Sequence, residues 1–219
     1  MLNNCFPNKI VEKFDRDTIK TNKNLTSILK RFNDNEIDIL IGTQMLSKGH
    51  DYHNVKLAVI LGIDSILNMT SYKSKEKALS LSLQIAGRSG RKGNGEVLIQ
   101  TKNRNFFDKY LTQNIYEEFL NDELIYRKNL YPPFVRLAKV TFSHKNHTLA
   151  LKQLNKYVNI FRNLQNNIEL IGFGESNIFK IANKYRYELL LRSQDTKALI
   201  NILHSINTPL ASIDMDTLF

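Results

Sequence analysis

A single cysteine, Cys5, among 219 residues leaves no partner for an intrachain disulfide and too few thiols for a thiolate zinc cluster. A reducing compartment is the simplest setting for such a chain. The longest apolar stretch, Leu57 to Ile63, falls far short of the roughly 20 residues that a membrane span needs. The first residues, Met1-Leu-Asn-Asn-Cys-Phe-Pro-Asn-Lys, hold no apolar signal core, so the chain is expected to be cytoplasmic, neither secreted nor membrane-spanning. The sequons at Asn24, Asn68 and Asn146 are then chance products of an Asn-rich composition. Acidic residues are also in short supply: 21 against 31 Lys and Arg, a net charge of +10. Such an excess suits a phosphate-bearing or otherwise anionic partner and says nothing by itself about a reaction.

A hydrophobic share of 42% supports one large domain or two small ones. In the first half, strand-like runs at Lys9–Phe14, Ile37–Gly42, Leu57–Leu61 and Glu96–Gln100 alternate with helical patterns. The stripe Leu25, Ile28, Leu29 and Phe32 marks one helix, and Ala78, Leu79, Leu83 and Ala86 mark another. The alternation predicts an α/β unit whose parallel sheet is covered on both faces. A helical pattern over residues 105–130 stops at Tyr131-Pro132-Pro133-Phe134, because proline removes a donor and bars the preceding residue from the α region. Beyond it a strand–helix–strand–strand–helix–strand order, ending in Ala211–Met215, predicts a small α+β unit of ferredoxin-like type. The expected division is residues 1–130 and 131–219. The first part holds 20 basic against 15 acidic residues and the second 11 against 6, so each carries an excess of five.

Gln84-Ile85-Ala86-Gly87-Arg88-Ser89-Gly90-Arg91 is the most specific segment. Two arginines three apart on a helical turn point the same way, and the intervening glycine lets backbone approach a bulky anion. Guanidinium forks bind phosphate oxygens bidentately, and an arginine that stabilises charge during γ-phosphoryl transfer is worth orders of magnitude in rate. A basic surface turn is the plain alternative. Upstream, the strand Ile39–Gly42 opens into a segment in which Thr43, Gln44, Ser47 and Lys48 offer hydroxyl, amide and ammonium donors, followed by Gly49 and the acceptor Asp51, at a strand's carboxyl end, where open α/β sheets place their ligands. The donors suit a nucleic-acid backbone, and Asp51 suits a ribose hydroxyl. The stretch Lys73–Arg104 holds eight basic and two acidic residues, a DNA-facing surface with steep salt dependence. The pairs His50/His53 and His144/His147 lack further ligands and read as loop or helix-face histidines.

These two segments, about 40 residues apart with a strand between them, resemble motifs V and VI of superfamily 2 helicases. The order Phe14-Asp15-Arg16-Asp17-Thr18, the segments 39–55, 84–93 and 95–101, the Tyr131–Phe134 turn, Lys184-Tyr185-Arg186-Tyr187 and Ile213-Asp214-Met215-Asp216 resembles the PriA family of primosomal replication-restart DNA helicases over nearly the whole chain. The resemblance implies a RecA-like second helicase lobe, incomplete at its N-terminus, over residues 1–130, and a C-terminal DNA-binding domain over 131–219. It makes Arg91 the arginine finger, Arg88 a second γ-phosphate contact, and Gln84, Gly49 and Asp51 the nucleotide side. Thr43, Gln44 and Lys48 would touch the DNA backbone, as would Lys184 and Arg186 in the tail. The implied cofactors are ATP and Mg²⁺. The implied partners are branched and single-stranded DNA, other primosome proteins and single-strand-binding protein.

The sequence holds neither a G-x-x-x-x-G-K-[ST] loop nor an acidic Mg²⁺ motif, so ATP is expected to be met from one side only and completed by a first lobe. Zn²⁺ belongs to the full-length family and not to this chain, which is expected to begin inside the second lobe and to be inactive alone. Two alternatives stand: another superfamily 2 lobe, RecG-like or from an RNA helicase, or a stand-alone nucleic-acid-binding or interaction module without ATPase activity. The Tyr-Pro-Pro-Phe boundary and the tail argue against the first.

Overall fold

Short apolar runs between helix-patterned segments pair as parallel strands in the first half of the chain, and longer alternating runs pair antiparallel in the second. The computed structural model describes residues 2–15, 22–43, 55–87, 95–111, 116–163 and 167–216. They fall into two units, residues 1–69 with 73–114 and residues 70–72 with 115–219.

The first unit contains α1 (Leu2–Cys5), β1 (Val11–Phe14), α2 (Asn22–Asn33), β2 (Ile39–Gly42), β3 (Leu57–Ile60), α3 (Asp64–Leu67), α4 (Ser74–Ala86), β4 (Glu96–Ile99) and α5 (Arg104–Leu111). β1 pairs with β2 in parallel, Phe14 opposite Gly42, and β3 pairs with β4, Ile60 opposite Ile99. Asp38 sets the first pair by accepting from Lys9 Nζ and the Ile10 amide, each at 2.9 Å. Arg31 on α2 reaches Glu12 on β1 at 2.7 Å and Glu36 at 3.3 Å. Ile60, Ile63, Ala78 and Phe107 form a buried cluster joining β3, α4 and α5. The parallel pairing follows the sequence pattern, but two expectations change. Among the described residues the strands form two two-stranded sheets rather than one. β3 was expected to be buried on both faces, yet Leu57, Val59 and Leu98 are about half exposed while Ile60 is buried, so the described residues cover one face only.

The second unit contains α6 (Tyr116–Arg127), β5 (Arg136–His144), α7 (His147–Arg162), β6 (Ile168–Ile181), β7 (Lys184–Ser193), α8 (Thr196–His204) and β8 (Ala211–Met215). Its sheet runs β6-β7-β5-β8 with antiparallel neighbours throughout. The helical stretch expected over 105–130 is recorded as α5 and α6, one in each unit, and β6 runs eight residues past its expected end at Phe173. Period-two alternation turns Ala138, Val140 and Phe142 of β5 and Tyr187, Leu189 and Leu191 of β7 to one side, where Ala150, Leu154, Val158 and Phe161 of α7 and Leu199 and Leu203 of α8 meet them. Both helices therefore cover the same face. Asn146 caps α7 by accepting from the Leu149 amide, and Asp195 caps α8 by accepting from the Ala198 amide, satisfying donors that a helix start leaves open. No helix among the described residues is long and apolar enough to cross a membrane.

Leu189 has no exposed surface and sits at the centre of this core. Leu189→Ala is expected to destabilise the second unit by about 2–5 kcal/mol, through lost transfer energy and a residual cavity. Leu124→Ala on a half-exposed helix position is expected to stay within about 0.5 kcal/mol. Denaturant unfolding followed by circular dichroism measures both.

Candidate nucleic-acid interface

α4 carries the first half of the arginine segment. Its inner face buries Ser74, Ala78, Leu79 and Ser82, and the Ser82 hydroxyl donates to the Ala78 carbonyl at 2.9 Å, which removes a polar group from the apolar side without breaking the helix. Gln84 therefore lies on the outer face, exposed, with its amide donating to Ser80 Oγ at 3.0 Å. Gly87 follows in right-handed helical geometry, and a Cβ there would come within 3.3 Å of the Leu83 carbonyl. Arg88 and Arg91 lie outside the described residues. So do Gln44, Lys48, Gly49 and Asp51, whereas Thr43 is described, exposed, one residue past the carboxyl end of β2.

The carboxyl ends of β3 and β4 are tied by a residue that the sequence reading did not single out. Asp64, at the start of α3, accepts from Thr101 Oγ1 at 2.6 Å, the Lys102 amide at 2.7 Å and Asn103 Nδ2 at 3.1 Å. The Thr101 bond first, then the Lys102 amide, hold its carboxyl below the usual carboxylate range against a smaller opposing desolvation. With its oxygens committed to three donors of its own chain, Asp64 fixes the loops that leave both strands. Among the described residues no group of three His, Cys, Asp or Glu side chains converges that could hold a metal ion.

In the second unit Lys184 and Arg186 stand on β7, alternate positions pointing away from the helices. Lys184 is exposed. Arg186 is half-buried and approaches Glu188 Oε1 at 3.7 Å, the carboxylate that also accepts from Ser176 Oγ at 2.5 Å. The two cations that the sequence reading groups together thus differ: one faces solvent, the other sits beside a carboxylate.

Asp216, quoted above in a motif but given no role, closes the unit. It lies just past β8 in the left-handed region (φ 54°), where its carboxylate takes Leu137 N at 3.0 Å and Arg136 Nη2 at 2.5 Å, and its own amide donates to the Leu137 carbonyl. Its carbonyl accepts from the Tyr72 hydroxyl at 3.1 Å. Tyr72 in turn stacks on Tyr131 (centroids 5.3 Å apart, planes 12° apart) and receives the Arg127 guanidinium at 5.1 Å from its ring centroid. Arg127 is held by Glu123 at 2.8 Å, a pair whose side chains are only 12% and 8% exposed. Four residue spacing on a helix betrays Glu123 and Arg127 in sequence; nothing local betrays Tyr72, which is 59 positions from Tyr131.

Residues 9–93 match the helicase conserved C-terminal domain, so the first unit carries sequence of the helicase class. Residues 127–217 match the primosomal protein N C-terminal domain, and over both segments the chain belongs to the PriA family, corresponding to the C-terminal part of its members. It is 44% identical over 192 residues to the replication restart protein PriA of Helicobacter pylori strain 26695, covering 87% of this chain and 30% of that relative. To the Borreliella burgdorferi PriA it is 35% identical over 207 residues (93% of this chain, 31% of the relative), and to the Bacillus subtilis PriA 32% over 209 residues (94% and 26%). The chain thus spans roughly 30% of the length of the curated relatives it matches.

Because the folded carboxyl of Asp64 lies below its ordinary value of 3.8, its contribution is fully present above that value and is lost as pH falls through the folded value. Stability is expected to be flat in Asp64 down to that point and to fall below it. Asp64→Asn is expected to lower stability at neutral pH and to flatten part of the acid loss, read from denaturation midpoints across an acid pH series.

Proposed function

We propose that this chain supplies the C-terminal part of an ATP-dependent primosomal DNA helicase that recognises stalled or branched replication forks and restarts replication. The observation that carries the reading is the order of its two matched segments, helicase C-terminal domain over 9–93 and primosomal C-terminal domain over 127–217, in a single chain. Residues 1–130 act as a RecA-like second lobe, a reading supported by two parallel strand pairs, since parallel α/β sheets place their ligands at the carboxyl ends of their strands. Residues 131–219 act as a ferredoxin-like DNA-binding domain, supported by the strand order β6-β7-β5-β8 with both helices on one face.

In this reading Arg91 is the arginine finger and Arg88 a second γ-phosphate contact, with Gln84, Gly49 and Asp51 on the nucleotide side. ATP supplies the free energy of phosphoryl transfer when bound. Asp64 is committed to Thr101, Lys102 and Asn103, and in this reading Mg²⁺ and the phosphates would be held mainly by a first lobe. Thr43, Gln44 and Lys48 contact the DNA backbone beside the nucleotide, and Lys184 and Arg186 contact it in the second unit. Other primosome proteins and single-strand-binding protein are its partners, and the cytoplasm its compartment.

The purified chain is expected to show no ATP turnover with or without forked DNA; robust turnover overturns the division of labour. In a full-length relative, replacing the arginine that aligns with Arg91 by Ala is expected to lower DNA-stimulated turnover by about 10³-fold or more while leaving DNA affinity nearly unchanged. An active variant removes Arg91 from the finger role.

A further inference from the structure

Four rings gather at one end of the second unit, on the helix-covered side of the sheet. The His147 ring, first residue of α7, meets Phe179 (centroids 6.0 Å apart, planes 83°), Tyr185 (5.5 Å, 85°) and Tyr187 (5.6 Å, 65°). Phe179 also packs 5.4 Å from Tyr185 and 5.5 Å from Tyr187. A break in strand register makes this possible. Glu175 pairs with Tyr187 and Lys180 with Tyr185, so four residues of β6, Ser176 to Phe179, stand opposite Arg186 alone. Such a bulge re-aims a side chain that regular alternation would place elsewhere. Here it delivers Phe179 between the two tyrosines.

The cluster is graded from inside to outside. Tyr187 is 4% exposed and shares a 2.6 Å hydrogen bond between its hydroxyl and His147 Nε2; Phe179 and Tyr185 are half-buried; His147 is exposed. The inner rings hold the outer ones in place, so the aromatic surface is preformed. Its charge has one sign at the hairpin end, residues 176–187. Residues 176–187 contain Lys180, Lys184 and Arg186 and no Asp or Glu, and residues 144–148 contain Lys145 and none. Lys180 Nζ lies 4.7 Å from the Tyr185 ring centroid. His144 pairs with Tyr185 across the sheet, which puts Lys145 at the adjoining corner. Glu175 is the acidic group facing Tyr187 from the bulge side.

We infer that His147, Phe179 and Tyr185 form a stacking platform for a base of single-stranded DNA, with Lys180 and Lys145 neutralising the flanking phosphates. Every base has a π-face, and flat rings beside cations are the combination by which single strands are held without sequence preference. The absence of acidic residues from the hairpin end, residues 176–187, argues against a basic peptide or a quaternary ammonium, which the same rings would otherwise accept. The inference rests on the proposed DNA-binding role of the second unit and adds what part of the nucleic acid it takes there: an unpaired base, rather than duplex backbone alone.

The test is fluorescence anisotropy of the whole chain with a labelled oligothymidylate of about 12 nucleotides, within the span of one such binding unit. Tyr185→Leu and His147→Ala are each expected to weaken binding by about 5-fold or more at unchanged salt slope. Lys180→Gln is expected to lower the slope of log K against log salt by about 0.7. Tyr185→Phe, which keeps the ring, should bind within about twofold of the parent, and an abasic strand of the same length should bind the parent as weakly as the thymidylate binds Tyr185→Leu. His147 is exposed, so its variant reports even where Tyr185→Leu fails to fold. If the parent binds with a salt slope but both ring variants match it, or the abasic strand binds equally well, the platform is overturned and the DNA-binding role stands. A parent that binds no oligothymidylate at low salt overturns both. Displacement by an acidic peptide in place of DNA binding would assign the rings to a protein partner and likewise overturn the inference.

Discussion

The second unit depends on the alternation of side chains along β7. This strand lies between β6 and β5, and each of its residues is committed to one face by a two-residue period that a slip of one position would invert. Tyr185, Tyr187, Leu189 and Leu191 go to the helices, while Lys184, Arg186, Glu188 and Arg192 go to the opposite face. Leu189 and Leu191 lose all contact with water, and the core of α7 and α8 is built on them. The same alternation separates rings from arginines. Lys180 reaches the aromatic side from the neighbouring strand, through the hairpin rather than along β7.

Carboxylates finish what the apolar faces begin. Burial fixes which side of a strand turns inward but does not fix where the chain goes after the strand ends. Asp38 gathers Lys9 and the Ile10 amide at the start of β1, Asp64 joins the exits of β3 and β4, and Asp216 ties the end of β8 to the start of β5. Each accepts at least one backbone amide, whose direction is set by the chain itself, so the bond specifies loop geometry as well as adding energy. Asp216 adopts a left-handed backbone to do so, a conformation that Asp tolerates better than most side chains.

Much of this fold was legible in the sequence because its periodicities are local. The stripe Leu25, Ile28, Leu29 and Phe32 gave α2, the strand–helix order gave the second unit, and Ala138, Val140 and Phe142 could be placed on one face by counting in twos. The bulge at Ser176–Phe179 could not. It interrupts a run whose composition, from Ile178 through Ile181, reads as ordinary strand, and what stabilises it is the Ser176–Glu188 bond and ring contacts to residues far along the chain. Glu188 is 12 positions from Ser176, His147 is 32 from Phe179 and Tyr72 is 59 from Tyr131, and no short-range pattern links such pairs. The nucleotide-facing expectations Arg88, Arg91, Gly49 and Asp51 and the DNA-facing expectations Gln44 and Lys48 rest on motif resemblance and fall outside the described residues.

The charge of the chain takes on a finer meaning once its cations are sorted by what holds them. Arg31, Arg127, Arg136 and Arg192 are each drawn onto a carboxylate within 2.8 Å, with Arg192 gripping Glu169 through two nitrogens. A planar guanidinium suits that task, since its fixed fork loses little freedom per bond formed. These arginines position strands and helices, and a phosphate could recruit them only by displacing a partner already in place. Lys184, exposed at the head of β7, and Lys180, lying over a ring at the hairpin, answer to no carboxylate among the described ion pairs. At the hairpin end of the second unit the unpaired charge is therefore carried by flexible ammonium groups, solvated point charges that need no defined geometry from a partner. Paired arginines thus hold the second unit together, while the hairpin lysines leave their charge to solvent.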